Sequence, residues 1–158
     1  MKQEIERKFL VTGDGWRANA GSGVLCRQGY ITDGSSNVTV RVRLLDGRGF
    51  LTIKGPAQGL SCSEMEYEIP SADAEYMLNH LCIGGTVSKV RYTLNYKGLH
   101  WEIDEFFCAN DGLVLAEIEL ESEKQPFDKP EWLEKEVSFD SRYRNAELAR
   151  NPFKNWKN

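Results

Sequence analysis

Residues 38–54 read VTVRVRLL, then DGRG, then FLTIK: Val38–Leu45, Asp46-Gly47-Arg48-Gly49 and Phe50–Lys54. In the first arm Val38, Val40 and Val42 alternate with Thr39, Arg41 and Arg43, and in the second Leu51 and Ile53 alternate with Thr52 and Lys54. Successive side chains of a β-strand point to opposite faces. Each arm therefore predicts a strand with one apolar and one charged face, and Asp-Gly between them predicts a tight hairpin.

The same period of two recurs on both sides. Residues 1–11, 24–32, 64–69, 86–96, 99–107 and 113–121 alternate in turn, with Lys97-Gly98 and Asn110-Asp111-Gly112 as turn signals. Helical patterns are few. Ser71 is placed to cap a helix over 72–81 ending near His80, Pro130 to open one over 131–135, and Asp140 to cap a last one through Arg150, stopped by Pro152. About eight strands at hairpin spacing predict a mainly β (α+β) barrel or sandwich with helices outside or at one end. Residues 1–158 read as one domain, with a C-terminal helical tail over 130–158.

Bulk composition narrows the function classes. A chain of 158 residues with 41% hydrophobic and 28% charged residues is globular, and a net charge of −4 argues against a generic nucleic-acid partner. Cys26, Cys62, Cys82 and Cys108 form no CxxC pair and have no histidine at ligand spacing, so reduced thiols in a cytoplasmic protein are expected. The N-terminal run MKQEIERKF lacks an apolar core of the signal-peptide kind, and no apolar run approaches the ~20 residues that span a bilayer, so no membrane association is expected.

The polar parity carries the chemistry. It is charged in i, i+2 pairs on strand after strand: Glu4/Glu6/Lys8, Arg41/Arg43, Lys54, Glu66/Glu68, Lys89/Arg91, Glu102/Asp104 and Glu117/Glu119. Any one pair suits a solvated outer face, where ion pairs contribute little. Repetition argues otherwise, because like charges on adjacent same-face positions repel. That cost is relieved if a polyanion sits against the cations and a divalent metal against the carboxylates. Val38, Val40, Val42, Ile53, Val90, Ile103, Ile118 and Leu120 fill the opposite parity, so outer elements can pack there and leave the charged face as an enclosed lumen. Lys8, Arg41, Arg43, Lys54, Lys89 and Arg91 suit several phosphoryl groups, and the carboxylates suit Mg²⁺, with Mn²⁺ possible. Phosphoryl transfer needs little beyond such positioning and charge neutralisation.

The ordered set Glu4-Ile5-Glu6-Arg7-Lys8, Arg41-Val42-Arg43, Thr52-Ile53-Lys54, Glu66-Tyr67-Glu68, Lys89-Val90-Arg91-Tyr92, Glu102-Ile103-Asp104 and Glu117-Ile118-Glu119 resembles the CYTH superfamily, the triphosphate tunnel metalloenzymes. The tail, Glu136-Val137 to Arg142-Tyr143, is similar to the short bacterial members. The resemblance implies a closed eight-stranded antiparallel β-barrel that hydrolyses a linear triphosphate, most simply inorganic tripolyphosphate to pyrophosphate and phosphate. It implies Glu4, Glu6, Glu117 and Glu119 as metal ligands, and Lys8, Arg41, Arg43, Lys54, Lys89 and Arg91 as substrate ligands. Lys8, Glu117 and Glu119 are then the catalytic candidates, and Glu66, Glu68 and Asp104 further lumen acids. Glu64 departs from the pattern, standing where relatives often carry a basic residue. Within the superfamily the alternatives are a nucleoside or thiamine triphosphatase, a class IV-type adenylate cyclase or a non-catalytic polyphosphate or nucleotide sensor. Oligomeric state is left open.

Other signals lead nowhere. His100-Trp101-Glu102 lacks the PCxxC partner of a zinc deaminase, Asn37-Val38-Thr39 is a sequon without use in the cytoplasm, and no GxxxxGK[ST] is present. No serine or cysteine has a convincing histidine partner. Tyr92 and Tyr143 are expected to pack rather than line the lumen, and Trp132, Phe153 and Trp156 to pack the tail across the barrel.

Overall fold

The structure, a computed structural model, describes residues 2–156. Met1, at the head of the expected first strand, and Lys157 and Asn158, at the end of the expected tail, lie outside them. The alternating segments form strands β1 (Lys2–Val11), β2 (Val24–Tyr30), β3 (Thr39–Leu45), β4 (Arg48–Lys54), β5 (Ser61–Ile69), β6 (Val87–Tyr96), β7 (Leu99–Phe106) and β8 (Val114–Glu119). They pair antiparallel in the order β5-β4-β3-β2-β6-β7-β8-β1, and β1 pairs again with β5, which closes an eight-stranded barrel. At the β3–β4 hairpin Leu45 pairs with Arg48, so the loop is Asp46-Gly47 alone, with φ of 51° and 74°. Positive φ at both residues is the two-residue turn whose twist matches that of the strands. Lys97-Gly98 repeats it between β6 and β7, at φ of 47° and 81°.

The helical expectations need correction. In place of the helix expected over 131–135, residues 131 and 132 form a turn and the chain continues into a ninth strand, β9 (Leu133–Glu136), paired with β1. Leu133 and Glu136 face a β1 edge that β5 leaves free, and backbone pairing there outweighs the helix propensity of Glu and Lys. The segment expected as one helix from Asp140 to Arg150 is split. Asp140 caps a single 3₁₀ turn, Ser141–Tyr143, and α2 begins only at Asn145 and runs to Arg150. Helix α1 spans Ser71–His80 with Pro70 rather than Ser71 at its cap. The tail is thus only partly helical. No helix among the described residues is long and apolar enough to cross a membrane.

β1 is shared among three partners. Residues 6–10 pair with β8 on one edge, where the Leu120 amide also reaches the Ile5 carbonyl. The opposite edge serves β5 at residues 2–5 and β9 at Phe9 and Val11.

Three apolar zones hold the barrel. Outside β1, β7 and β8, buried Phe9, Trp101, Ile103, Ala116 and Ile118 are covered by Trp16 and by Phe127, Trp132 and Leu133. Outside β3 and β4, Val42, Leu44 and Leu51 take Ala74 and Leu78 of α1. The third zone lies on the lumen parity. There Leu10, Tyr30, Val87, Phe106, Leu113 and Leu115 pack with Val137, Leu148, Ala149, Phe153 and Trp156 of the tail. One end of the barrel is thereby plugged with apolar side chains, while the rest of the lumen stays charged. Tyr92 and Tyr143 pack on Trp16 and Trp156.

Candidate active site

Strand alternation carries the charged parity of β1 and β3–β8 into a cavity of about 910 Å³. Its walls include Glu4, Glu6, Lys8, Arg41, Arg43, Lys54, Glu66, Lys89, Arg91, Glu117 and Glu119. The six expected cations therefore converge on one cavity. Asp104 lies beneath it, buried between Lys89 and Arg91. Glu68 is not brought in: β5 carries it past the rim, where it pairs with Arg48 at 2.6 Å on the surface.

Each strand-borne cation leans on a carboxylate. Lys89 Nζ donates to Asp104 Oδ2 at 2.7 Å, and Arg91 grips the same carboxylate with two bonds of 2.8 Å. Arg91 also pairs with Glu102. Lys8 Nζ lies 3.3 Å from Glu117 Oε1, as their direct opposition across β1 and β8 dictates. Lys54 Nζ lies 2.5 Å from Glu4 Oε2 and 3.2 Å from Glu64 Oε2. Glu64, the departure from the family pattern, thus sits on Lys54. Arg41 and Arg43 share Glu66 Oε2 at 3.3 and 3.2 Å, and Thr52 Oγ1 donates to that oxygen at 2.7 Å. Lys2 holds Glu119 at 2.6 Å.

Two features show that this network is incomplete by itself. The Nε–H groups of Arg41 and Arg43 are buried without a hydrogen-bond acceptor. A buried unmatched donor costs about 1–3 kcal/mol, and an anion at this wall would supply the acceptors. On the acidic side Glu6 opposes Glu119 in register, and the nearby Glu117 charge, then burial, push its carboxyl up to about 7. Such crowding of carboxylates is relieved by a divalent cation. Among the described residues no three acids, histidines or cysteines stand at metal-ligating spacing, because Glu4, Glu117 and Glu119 are each turned to a lysine. The donors have the hard-oxygen chemistry of a Mg²⁺ or Mn²⁺ site, and the Glu6–Glu119 opposition supplies the charge for one.

Two buried carboxylates, Glu117 and Asp104, are held ionised. Burial disfavours the Glu117 anion, yet Lys8 and Arg91 outweigh it and bring it down to about 2. Asp104 is likewise opposed by burial and held well below the usual carboxylate range by Arg91 and Lys89. Burial pushes Lys89 down.

Some participants escaped the sequence pattern. Tyr143 accepts from Lys8 Nζ through its carbonyl at 3.2 Å, and Asn145 Oδ1 accepts from Lys89 Nζ at 3.1 Å. Both lie in the aperiodic tail, which carries no alternation to reveal them. Thr52 does lie on the charged parity, two residues from Lys54, and the alternation could have included it, as it did Glu102 beside Asp104.

A closed antiparallel barrel with a cation-lined, acid-edged lumen defines a receptor for a small polyanion. The chain belongs to the CYTH domain family, whose model matches residues 2–149. It is 47% identical over 157 residues to an inorganic triphosphatase of Acetivibrio thermocellus, covering 99% of each chain. An inorganic triphosphatase of Nitrosomonas europaea is 38% identical over 150 residues, covering 92% of this chain and 96% of that one. The solved structure of an inorganic triphosphatase superposes with a TM-score of 0.67 at 36% identity, over 94% of this chain and 95% of that one.

Proposed function

We propose that this protein is a cytoplasmic, metal-dependent inorganic triphosphatase that hydrolyses tripolyphosphate to pyrophosphate and phosphate in its lumen. The observation that carries this reading is the convergence of six Lys/Arg side chains on one cavity, with two buried guanidinium N–H groups unmatched. The names of the relatives support the same reaction class. Arg41 and Arg43 bind phosphate oxygens through paired N–H groups, and Lys8, Lys54, Lys89 and Arg91 neutralise the rest. Substrate has to displace the carboxylates from these cations. Release of Glu4 from Lys54 and of Glu117 from Lys8 frees ligand oxygens as it frees cations. Glu4, Glu6, Glu117 and Glu119 would hold Mg²⁺ or Mn²⁺, which when bound polarises a water and neutralises phosphate charge.

Glu117, ionised down to about pH 2, is a poor proton acceptor, so its part is to hold charge in place. Asp104 acts from below by fixing Lys89 and Arg91 in one orientation, which spares their reorganisation when substrate arrives.

The test is phosphate release from tripolyphosphate, ATP and thiamine triphosphate, side by side, in Mg²⁺ and in EDTA. Rapid release from tripolyphosphate in Mg²⁺ alone is expected. Absence of release from all three would overturn the hydrolase reading.

A further inference from the structure

The tail does more than plug the barrel. Tyr143 and Asn145 touch Lys8 and Lys89, and between them stands Arg144, which lines the same cavity. Its backbone is fixed at both ends. The Arg144 amide donates to the Ser141 carbonyl at 3.1 Å, and its carbonyl accepts from the amide of Leu148, a fully buried plug residue, at 2.9 Å. The residue itself is exposed. Among the described residues the Arg144 guanidinium has no ion-pair or hydrogen-bond partner, whereas all six strand-borne cations are engaged with carboxylates.

That difference has an electrostatic consequence. A phosphoryl group approaching Lys54 or Arg91 must exchange one ion pair for another, so much of the gain is offset by the pair that is lost. At Arg144 nothing is given up but water. Lys8 and Lys89 are each two residues from the apolar plug, at Leu10 and Val87, and so lie at the closed end of the lumen. A chain end, with its extra negative charge and no substituent, is what a closed end admits. We infer that Arg144 is a further substrate-binding residue, supplied by the tail rather than by a strand, which contacts the terminal phosphoryl group lodged beside Lys8 and Lys89. The inference rests on the triphosphatase reading and adds to it a contact outside the eight-stranded pattern.

The test compares wild type, Arg144→Ala and Arg144→Lys by calorimetric binding of tripolyphosphate in EDTA and by steady-state hydrolysis in Mg²⁺. Arg144→Ala is expected to raise Kd and KM about tenfold with kcat within about twofold, and Arg144→Lys to recover part of the loss. The melting temperature without ligand should stay at the wild-type value, since among the described residues the side chain makes no hydrogen bond or ion pair. Kd and KM within about twofold of wild type would overturn the inference. A lower melting temperature accompanied by a fall in kcat alone would overturn it too, by making the role structural. Failure of the wild type to bind or hydrolyse tripolyphosphate would instead remove the functional reading beneath it. The two failures are therefore distinguishable.

Discussion

At the scale of single residues, the lumen sets each of its six strand-borne cations against a carboxylate, while Glu6 is crowded by another acid. Replacing Glu117 by Gln removes a carboxylate from the metal side and a partner from Lys8. Metal-dependent turnover should fall by a hundredfold or more while tripolyphosphate still binds, as phosphate release and calorimetry would show. Arg41→Ala should do the reverse, weakening substrate by about 1.5–3 kcal/mol, the worth of a charged hydrogen bond, and leaving metal affinity near wild type. Glu6 gives a pH signature. A carboxyl raised on folding from 4.5 to about 7 favours the folded state below pH 4.5 and loses that contribution as the pH rises through 7. In EDTA the Glu6 contribution to stability should therefore decline between about pH 4.5 and 7, and Glu6→Gln should flatten that part of the curve in urea unfolding. Glu117 works in the opposite direction and in a lower window, its contribution lost only as pH falls from 4.5 to about 2. Which residues would face the lumen was legible in the i, i+2 charges from Glu4 to Glu119. Glu68 shares that parity and still lies outside, because alternation reports a face and not how far along the strand the barrel extends.

At the scale of elements, local pattern and long-range pairing divide the credit. The Asp46-Gly47 turn is a local property of two residues, and it stands in the fold where the chain announces it. β9 could not be read the same way. Leu133-Glu134-Lys135-Glu136 is too short to show a period, and its residues favour helix until the free edge of β1 recruits them. Gly49 has a use that its place after the hairpin does not reveal. A Cβ there would stand 2.9 Å from both Ala74 Cβ and the Ile69 carbonyl oxygen, where the start of α1 meets β4. Gly49→Ala should therefore lift α1 from the barrel and cost about 1–3 kcal/mol, the range for overpacking. Urea unfolding would measure it, and an unchanged midpoint would mean that the α1 contact yields freely.

At the scale of the whole molecule, the plug ties stability to function. Ending the chain after Glu136 would uncover Leu10, Val87, Phe106 and Leu115 and remove the tail acceptors of Lys8 and Lys89, the Tyr143 carbonyl and Asn145 Oδ1. The truncated protein should bind a hydrophobic dye, melt without a sharp transition and fail to bind tripolyphosphate. The intact protein should gain about 2.7 kcal/mol from tripolyphosphate at a hundred times its Kd, visible as a raised melting temperature. The tail aromatics Phe153 and Trp156 were legible as packing residues, but the contacts of Tyr143 and Asn145 with the lumen lysines were not, because they join residues far apart in sequence with no period to mark them. A different consequence follows from β1, whose edges are divided among β5, β8 and β9. On the ribosome β1 emerges ahead of all three partners, and the last of them is completed only at Glu136. For most of synthesis the nascent chain carries an alternating strand with bare hydrogen-bonding edges, the kind of segment that pairs with neighbours on the same message. Its charged face, Glu4, Glu6 and Lys8, repels such pairing until β8 is made. The residues that handle phosphate at the end of folding would then guard the chain at its beginning.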